Sequence, residues 1–341
     1  MKKLVACFCV VSIMFTACQE GEFLEAKDVE AATSLEDQII RVNLSSNVRN
    51  QTARSGNNND DPAREFMSAI NTALSGQGIL LEKIEFLGMG EEGRTLTFFS
   101  DRGNKQLTSD FVPNDFRNVG GTAVPYWIDD MELGTSSGMT EQETFDAIVD
   151  CMAIWDAETC SQGLDIPFLG TSGMDVGLIQ LFMGYGGFDG IIPGTILHGG
   201  ILPPSFFEDI NGLGGGSGTI GATFTFIWLN FEDGQPSDID GNGKDDVAFR
   251  EIYINDNFNF QDAPNHELFE GVVDFETIVL HEVGHGLSQG HFGMAFPDNG
   301  HFNIHFAPAA LMNAVYSVPR REVTQTDQAG HCSIWADWPN N

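Results

Sequence analysis

The sequence predicts an α+β protein, and three stretches carry that prediction. Residues 223–228, Thr-Phe-Thr-Phe-Ile-Trp, alternate polar and apolar side chains as a half-buried strand does. Thr140 with Glu143 three residues on makes a capping box, after which Phe145, Ile148, Met152 and Trp155 recur at helical spacing as a core face. From Asp274, an N-cap residue, to about Leu287, another helix sets Leu280, Val283 and Leu287 on its buried face. The 341 residues are 42% hydrophobic and include 27 phenylalanines, enough for one sizeable core plus a smaller unit. The 49 acidic residues against 16 lysines and arginines leave a formal charge of -33. Such a surface repels nucleic acid and anionic lipid and draws cations, so no nucleic-acid partner is expected and calcium is favoured.

In chain order, Lys2 and Lys3 precede an apolar run over residues 4–15 and then Thr16-Ala17-Cys18, the form of an export signal too short to remain as a membrane span. Small residues before a cysteine resemble the bacterial lipobox. That resemblance implies removal of residues 1–17, a diacylglyceryl group on Cys18, and an outer-membrane or cell-surface location with the lipid anchor as the sole membrane contact. Residues 18–61 are polar and read as a tether. Residues 62–118 read as a small N-terminal α+β unit, with a possible pro-domain role. Asp61-Pro62 starts a helix with Phe66, Ile70, Ala73 and Leu74 on one face, and residues 79–86 and 95–99 form a strand pair.

Residues 119–341 form the main unit. Strands are expected at 124–128, 176–181 and 249–254, with a further ordered stretch at 195–202 inside the glycine-rich loops of 184–218. Besides Cys18, the exported part keeps Cys151, Cys160 and Cys332, so one disulfide and one spare thiol are expected. Were Cys151 and Cys160 on one unbroken helix they would stand more than about 10 Å apart, too far to bridge, which leaves Cys332 a partner for either.

Two stretches have metal-ligand spacing. Asp238, Asp240, Asn242 and Asp246 occupy positions 1, 3, 5 and 9 of a calcium-type loop, with Lys244 at the position that supplies a peptide oxygen and Gly243 at the turn. Phe249 stands where such loops place a bidentate glutamate, so the competing reading is a solvated acidic turn. The second stretch is His281-Glu282-Val283-Gly284-His285 followed by His291. On a helix, His281 and His285 stand one turn apart with Glu282 beside them, and Gly286 and Gly290 let the chain leave the helix and return a third imidazole. Three neutral imidazoles around an open position describe a catalytic zinc site.

His281, Glu282, Gly284, His285, Leu287 and His291, followed by Ala310, Leu311, Met312 and Tyr316, make the chain similar to the metzincin zinc endopeptidases, and among them most similar to the matrixins. The resemblance spans most of residues 120–341, with Asp327 and Gly330 echoing the family's C-terminal helix. It implies a twisted mixed sheet with a long helix before it and the active-site helix behind, zinc on His281, His285 and His291, Met312 in a turn beneath the zinc, and Glu282 as the catalytic base. It also implies cleavage of peptide bonds in extracellular proteins or peptides by a protein acting as a monomer. Ser288 replaces the family's glycine after the helix, and Asn313-Ala314 replaces Tyr-Pro in the wall of the substrate pocket. No cysteine lies between Cys18 and Cys151, which excludes a cysteine on the zinc as a latency device; Asp110 or Asp115 offers a carboxylate instead, in a stretch that otherwise reads as polar linker. His198 reads as a strand histidine near the cleft, and His266, His301, His305 and His331 as surface or loop residues. The competing functions are a non-catalytic surface-exposed binding lipoprotein that keeps the fold, and a metal-dependent hydrolase of a non-peptide bond. The intact Glu282 favours the endopeptidase, because a structural zinc needs no base.

Overall fold

Nine strands share one mixed sheet in the computed structural model, which describes residues 38–42, 61–89, 97–100, 108–265, 271–297 and 304–340. Taken along the chain, its strands are β1 (Ile79–Met89), β2 (Thr97–Phe99), β3 (Ser109–Asp110), β4 (Tyr126–Ile128), β5 (Phe168–Thr171), β6 (Ile196–Leu202), β7 (Thr219–Trp228), β8 (Asp245–Asn255) and β9 (Val315–Tyr316). Across the sheet the order is β9-β1-β7-β8-β6-β4-β5, with β2 on β1 and β3 on β8. The β8, β6, β4 and β5 strands run parallel, whereas β7 is antiparallel to both β8 and β1. Besides one short turn of helix at Gly215–Gly218, the helices are α1 (Pro62–Ala73), α2 (Glu141–Asp156), α3 (Leu178–Met183), α4 (Pro204–Asn211), α5 (Phe275–Gly286) and α6 (Gln325–Trp335). This mixed α/β architecture agrees with the expected α+β class.

Two cores cover the two faces of the sheet. One gathers Ile148, Met152 and Trp155 of α2 with Ile278, Val279 and Val283 of α5 and Trp335 of α6. The other gathers Phe66 and Ile70 of α1 and Phe206 and Phe207 of α4 with Ile84, Phe86, Phe224 and Phe226 of the sheet. The β7 strand is therefore buried along its whole length rather than half-buried. The hydroxyls of its Thr223 and Thr225 find partners, Thr223 on Glu282 of α5 and Thr225 on Arg250 of β8.

The capping box at Thr140 and Glu143 forms as expected at the start of α2. The described residues of 62–118 do not fold apart from the rest: β1 pairs with β7 from Ile79 to Gly88, and α1 packs into the phenylalanine core. A two-stranded hairpin leaves its faces and edges in water, and joining the larger sheet buries both. Residues 176–181 are likewise not a strand. Gly177, at φ 138°, turns the chain into α3, and the Glu251 carboxylate accepts from Leu178 N (2.7 Å) and Ile179 N (3.0 Å). A buried carboxylate from β8 thus satisfies the first helical N–H groups, a partner invisible in a short apolar run.

The disulfide joins Cys160, just past α2, to Cys332 on α6, and Cys151 is a buried thiol. His331 is no surface residue: it is fully buried against Trp155, with Nε2 2.8 Å from Ser161 Oγ. Cys18, the signal at 1–17, most of the tether, His266 and His301 lie outside the described residues. Among the described residues no helix is long and apolar enough to cross a membrane.

Candidate metal centre

Helix α5 begins where Asp274 accepts from Thr277 N (3.1 Å) and is held by Arg321, and it is buried all round rather than on one face. Two glycines let its neighbours approach. A Cβ on Gly284 would stand 2.4 Å from Met312 Sδ, and one on Gly221 of β7 would stand 2.5 Å from Glu282 Oε1. Trp155 of α2 donates its indole N–H to Leu280 O, which locks the two helices together.

His281, His285 and His291 converge as the spacing predicts. Nε2 of His285 lies 3.0 Å from Nε2 of His281 and 3.1 Å from Nε2 of His291. His281 Nδ1 meets Leu311 O and His285 Nδ1 meets Gln289 O, both at 2.8 Å. A carbonyl only accepts, so these Nδ1 atoms carry the protons and the Nε2 atoms of His281 and His285 turn bare lone pairs on one another. Burial pushes the His281 pKa down to about 4 and those of His285 and His291 well below the usual range, so the imidazoles are neutral. Facing acceptors repel unless a cation lies between them. Nitrogens at about 2.0–2.1 Å from a tetrahedral ion stand about 3.4 Å apart, close to the separations here, so the donor set fits zinc.

Glu282 is fully buried beside the triad. Its Oε2 accepts from Thr223 Oγ1 at 2.6 Å, and its Oε1 has no hydrogen-bond partner among the described residues. Burial raises its pKa well above the usual carboxylate range, against the lowering pull of Thr223. A cation held by the histidines would act in the opposite direction.

The turn after α5 depends on Ser288, which takes φ 68° where glycine is the easier residue. Buried Arg250 of β8 donates from Nη1 to Ser288 Oγ (2.8 Å) and Gly286 O (2.7 Å). The turn at residues 310–313 is braced from two sides. Asp327 accepts from Leu311 N and Met312 N at 2.8 and 3.0 Å. Asn313 accepts from Ala310 N and donates to Phe292 O and Pro308 O.

Three side chains at the site had no motif to announce them. Glu85 of β1 puts Oε1 3.4 Å from His285 Nδ1 and Oε2 2.9 Å from Lys83 Nζ, and Thr97 Oγ1 of β2 lies 3.2 Å from His291 Nδ1. The available signal was the acidic and basic residues Glu82, Lys83 and Glu85 inside an otherwise apolar strand.

Of the proposed calcium ligands, Asp238, Asp240 and Asp246 meet with carboxylate oxygens within 4.8 Å of one another. The Asn242 amide donates to Asp240 and Asp110, and the Lys244 ammonium pairs with Asp110 at 2.6 Å. Asp246 is also held by Arg117 (2.7 Å), so part of the loop's charge is already met. Phe249 stacks on Phe226 in the core and supplies no twelfth ligand. Neither carboxylate considered for latency reaches the histidines: Asp110 joins this loop through the β3–β8 pairing, and Asp115 binds Arg117. His198 is a buried strand residue of β6 whose Nε2 has no partner among the described residues. No protein-family model and no curated protein sequence matches this chain.

Proposed function

We propose that the chain is a zinc-dependent endopeptidase of the metzincin kind, most similar to the matrixins, acting on extracellular proteins or peptides. The observation that carries this reading is the convergence of three buried imidazole Nε2 atoms beside a buried carboxylate with one oxygen that has no hydrogen-bond partner among the described residues. Zinc bound there would lower the pKa of its water to about 7 and polarise the scissile carbonyl. Glu282 takes the proton of the attacking water and returns it to the leaving amine, while Thr223 fixes the carboxylate's rotamer through Oε2. Met312 fills the space beneath the histidines, where Gly284 admits it. Export, a lipid on Cys18, a monomeric state, and a structural calcium at Asp238, Asp240, Asn242, Lys244 and Asp246 belong to the same proposal.

One observation favours the non-catalytic reading, in which the metal serves stability: His281, His285 and His291 are only 1%, 0% and 7% exposed. The deciding experiment measures bound zinc and cleavage of casein or quenched peptides by the parent and by Glu282→Ala. The endopeptidase reading expects about one zinc in each and cleavage reduced at least about a hundredfold in the variant. Equal cleavage, or none by a processed and zinc-loaded parent, would support the alternatives.

A further inference from the structure

Three carboxylates that belong neither to the histidine centre nor to the acidic loop meet between the end of β4 and the start of α3. Asp129, Glu132 and Asp175 bring carboxylate oxygens within 4.8 Å of one another. Asp129 is fully buried and the other two are half-buried. Asp129 accepts from Met131 N (2.8 Å) and Val176 N (2.6 Å), which ties the end of β4 to the turn that leads into α3. Gly187 N donates to Asp175, and a Cβ on Gly186 would run into the same carboxylate. Among the described residues no lysine or arginine pairs with any of the three. Burial most, and the charge of Asp175 with it, push the Asp129 and Glu132 carboxyls up to about 7.

An amide runs into this cluster from α3. Gln180 is 0% exposed, its Nε2 lies 2.8 Å from Glu132 Oε2 and against Asp175 Oδ1, and its Oε1 has no hydrogen-bond partner among the described residues. A buried carbonyl oxygen without a donor is costly. A half turn about the last side-chain bond exchanges the two ends of the amide. The oxygen then stands between Glu132 and Asp175, and the NH2 group takes its place beside Gly177, where the Tyr253 hydroxyl also lies. Four oxygens facing one another repel unless a cation lies among them, and one that does removes the cost of burying the charges as well. We propose that Asp129, Glu132, Asp175 and Gln180 form a second cation site, distinct from the histidines, that takes a hard divalent ion, calcium or magnesium. The donors are all oxygen, with no thiolate or imidazole to favour a softer metal. The ion pins the end of β4 to the start of α3, and the site stands whether or not the chain is a peptidase. Because either ion fills it, it drops out of a comparison between the two.

The test uses the full zinc-loaded chain, freed of other divalent ions, with Mn²⁺ as the probe and the electron-spin signal of free Mn²⁺ as the readout. Parent and Asp240→Asn, which alters only the acidic loop, should each bind Mn²⁺ at a site of the same affinity, from which calcium and magnesium displace it. Glu132→Gln and Gln180→Met should weaken that binding at least about tenfold, because each removes one oxygen donor. In the absence of divalent ions Glu132→Gln should melt no lower than the parent, since it relieves a buried repulsion, whereas with millimolar magnesium the parent should melt higher. Unchanged Mn²⁺ affinity in the folded variants overturns the proposal. So does an Asp240→Asn chain that binds no Mn²⁺, or bound Mn²⁺ that neither calcium nor magnesium displaces.

Discussion

The Arg250 guanidinium donates to the Ser288 hydroxyl at 2.8 Å, at the point where the chain leaves α5 with a positive φ and turns back toward His291. A serine in the left-handed region carries a strain of about 1 kcal/mol that glycine escapes, and the bond from a buried cation offsets it. Arg250→Met should therefore lower unfolding stability by about 2–4 kcal/mol and weaken zinc binding roughly tenfold, because Ser288 and Gly286 O lose their common donor. Ser288→Gly exchanges strain for a lost hydrogen bond and should change stability by less than about 1 kcal/mol. Denaturant unfolding and competition with a zinc chelator measure both. Parent-like zinc affinity in Arg250→Met would show that this turn does not set the position of His291.

What was legible in the sequence is what depends on local spacing. Positions i and i+4 on a helix place His281 and His285 together whatever surrounds them, and a capping box is complete within four residues, as at Thr140. The partners that finish the site come from far along the chain and leave no periodic trace. Arg250 reaches Ser288 from β8, and Thr223 reaches Glu282 from β7. Glu251 turns an apolar run into α3 from across the sheet. The joining of β1 to β7 was hidden for the same reason, since a buried strand reads alike in a small unit and in the middle of a large sheet.

The acidic loop should respond to calcium weakly. Asp238, Asp240 and Asp246 converge, but Lys244 and Arg117 already answer part of the charge and Phe249 removes the bidentate ligand. Millimolar calcium, set against the same concentration of magnesium, should raise the melting temperature of the zinc-loaded protein by about 2–4 °C and leave Asp240→Asn unmoved. An equal response in the variant, or none in the parent, would reduce the loop to a solvated turn.

The Cys160–Cys332 bridge closes a 172-residue separation between the end of α2 and α6. A loop of that size gives the unfolded chain much freedom to lose, so Cys160→Ser with Cys332→Ser should cost about 2–5 kcal/mol. Cys151, fully buried and with its pKa raised by burial, should resist a thiol reagent in the native parent and react only on unfolding. Labelling under native conditions that maps to Cys151 would contradict this arrangement.

Acid should act on the fold through His331 as well as through the metal site. Burial against Trp155 lowers its pKa from 6.5 to about 4, so in the folded chain it stays neutral while the unfolded chain takes up a proton. Its contribution is fully present above the unfolded value of 6.5 and is lost as pH falls through the window down to about 4. Asp129 works in the opposite sense. Burial raises it from 3.8 to about 7, so the stability it contributes is present below the unfolded value and is lost as pH rises through about 7. The two overlap in mild acid, and the parent's own profile would conceal both. Comparison with His331→Asn separates them, because the stability difference between parent and variant should grow with pH across that window by at most about 1.4 kcal/mol per unit. Asp129→Asn should give a difference of the other slope, extending up to about pH 7. Denaturant unfolding at a series of pH values reads both, and a difference that stays flat for His331→Asn would mean that the folded chain protonates this histidine as readily as the unfolded one.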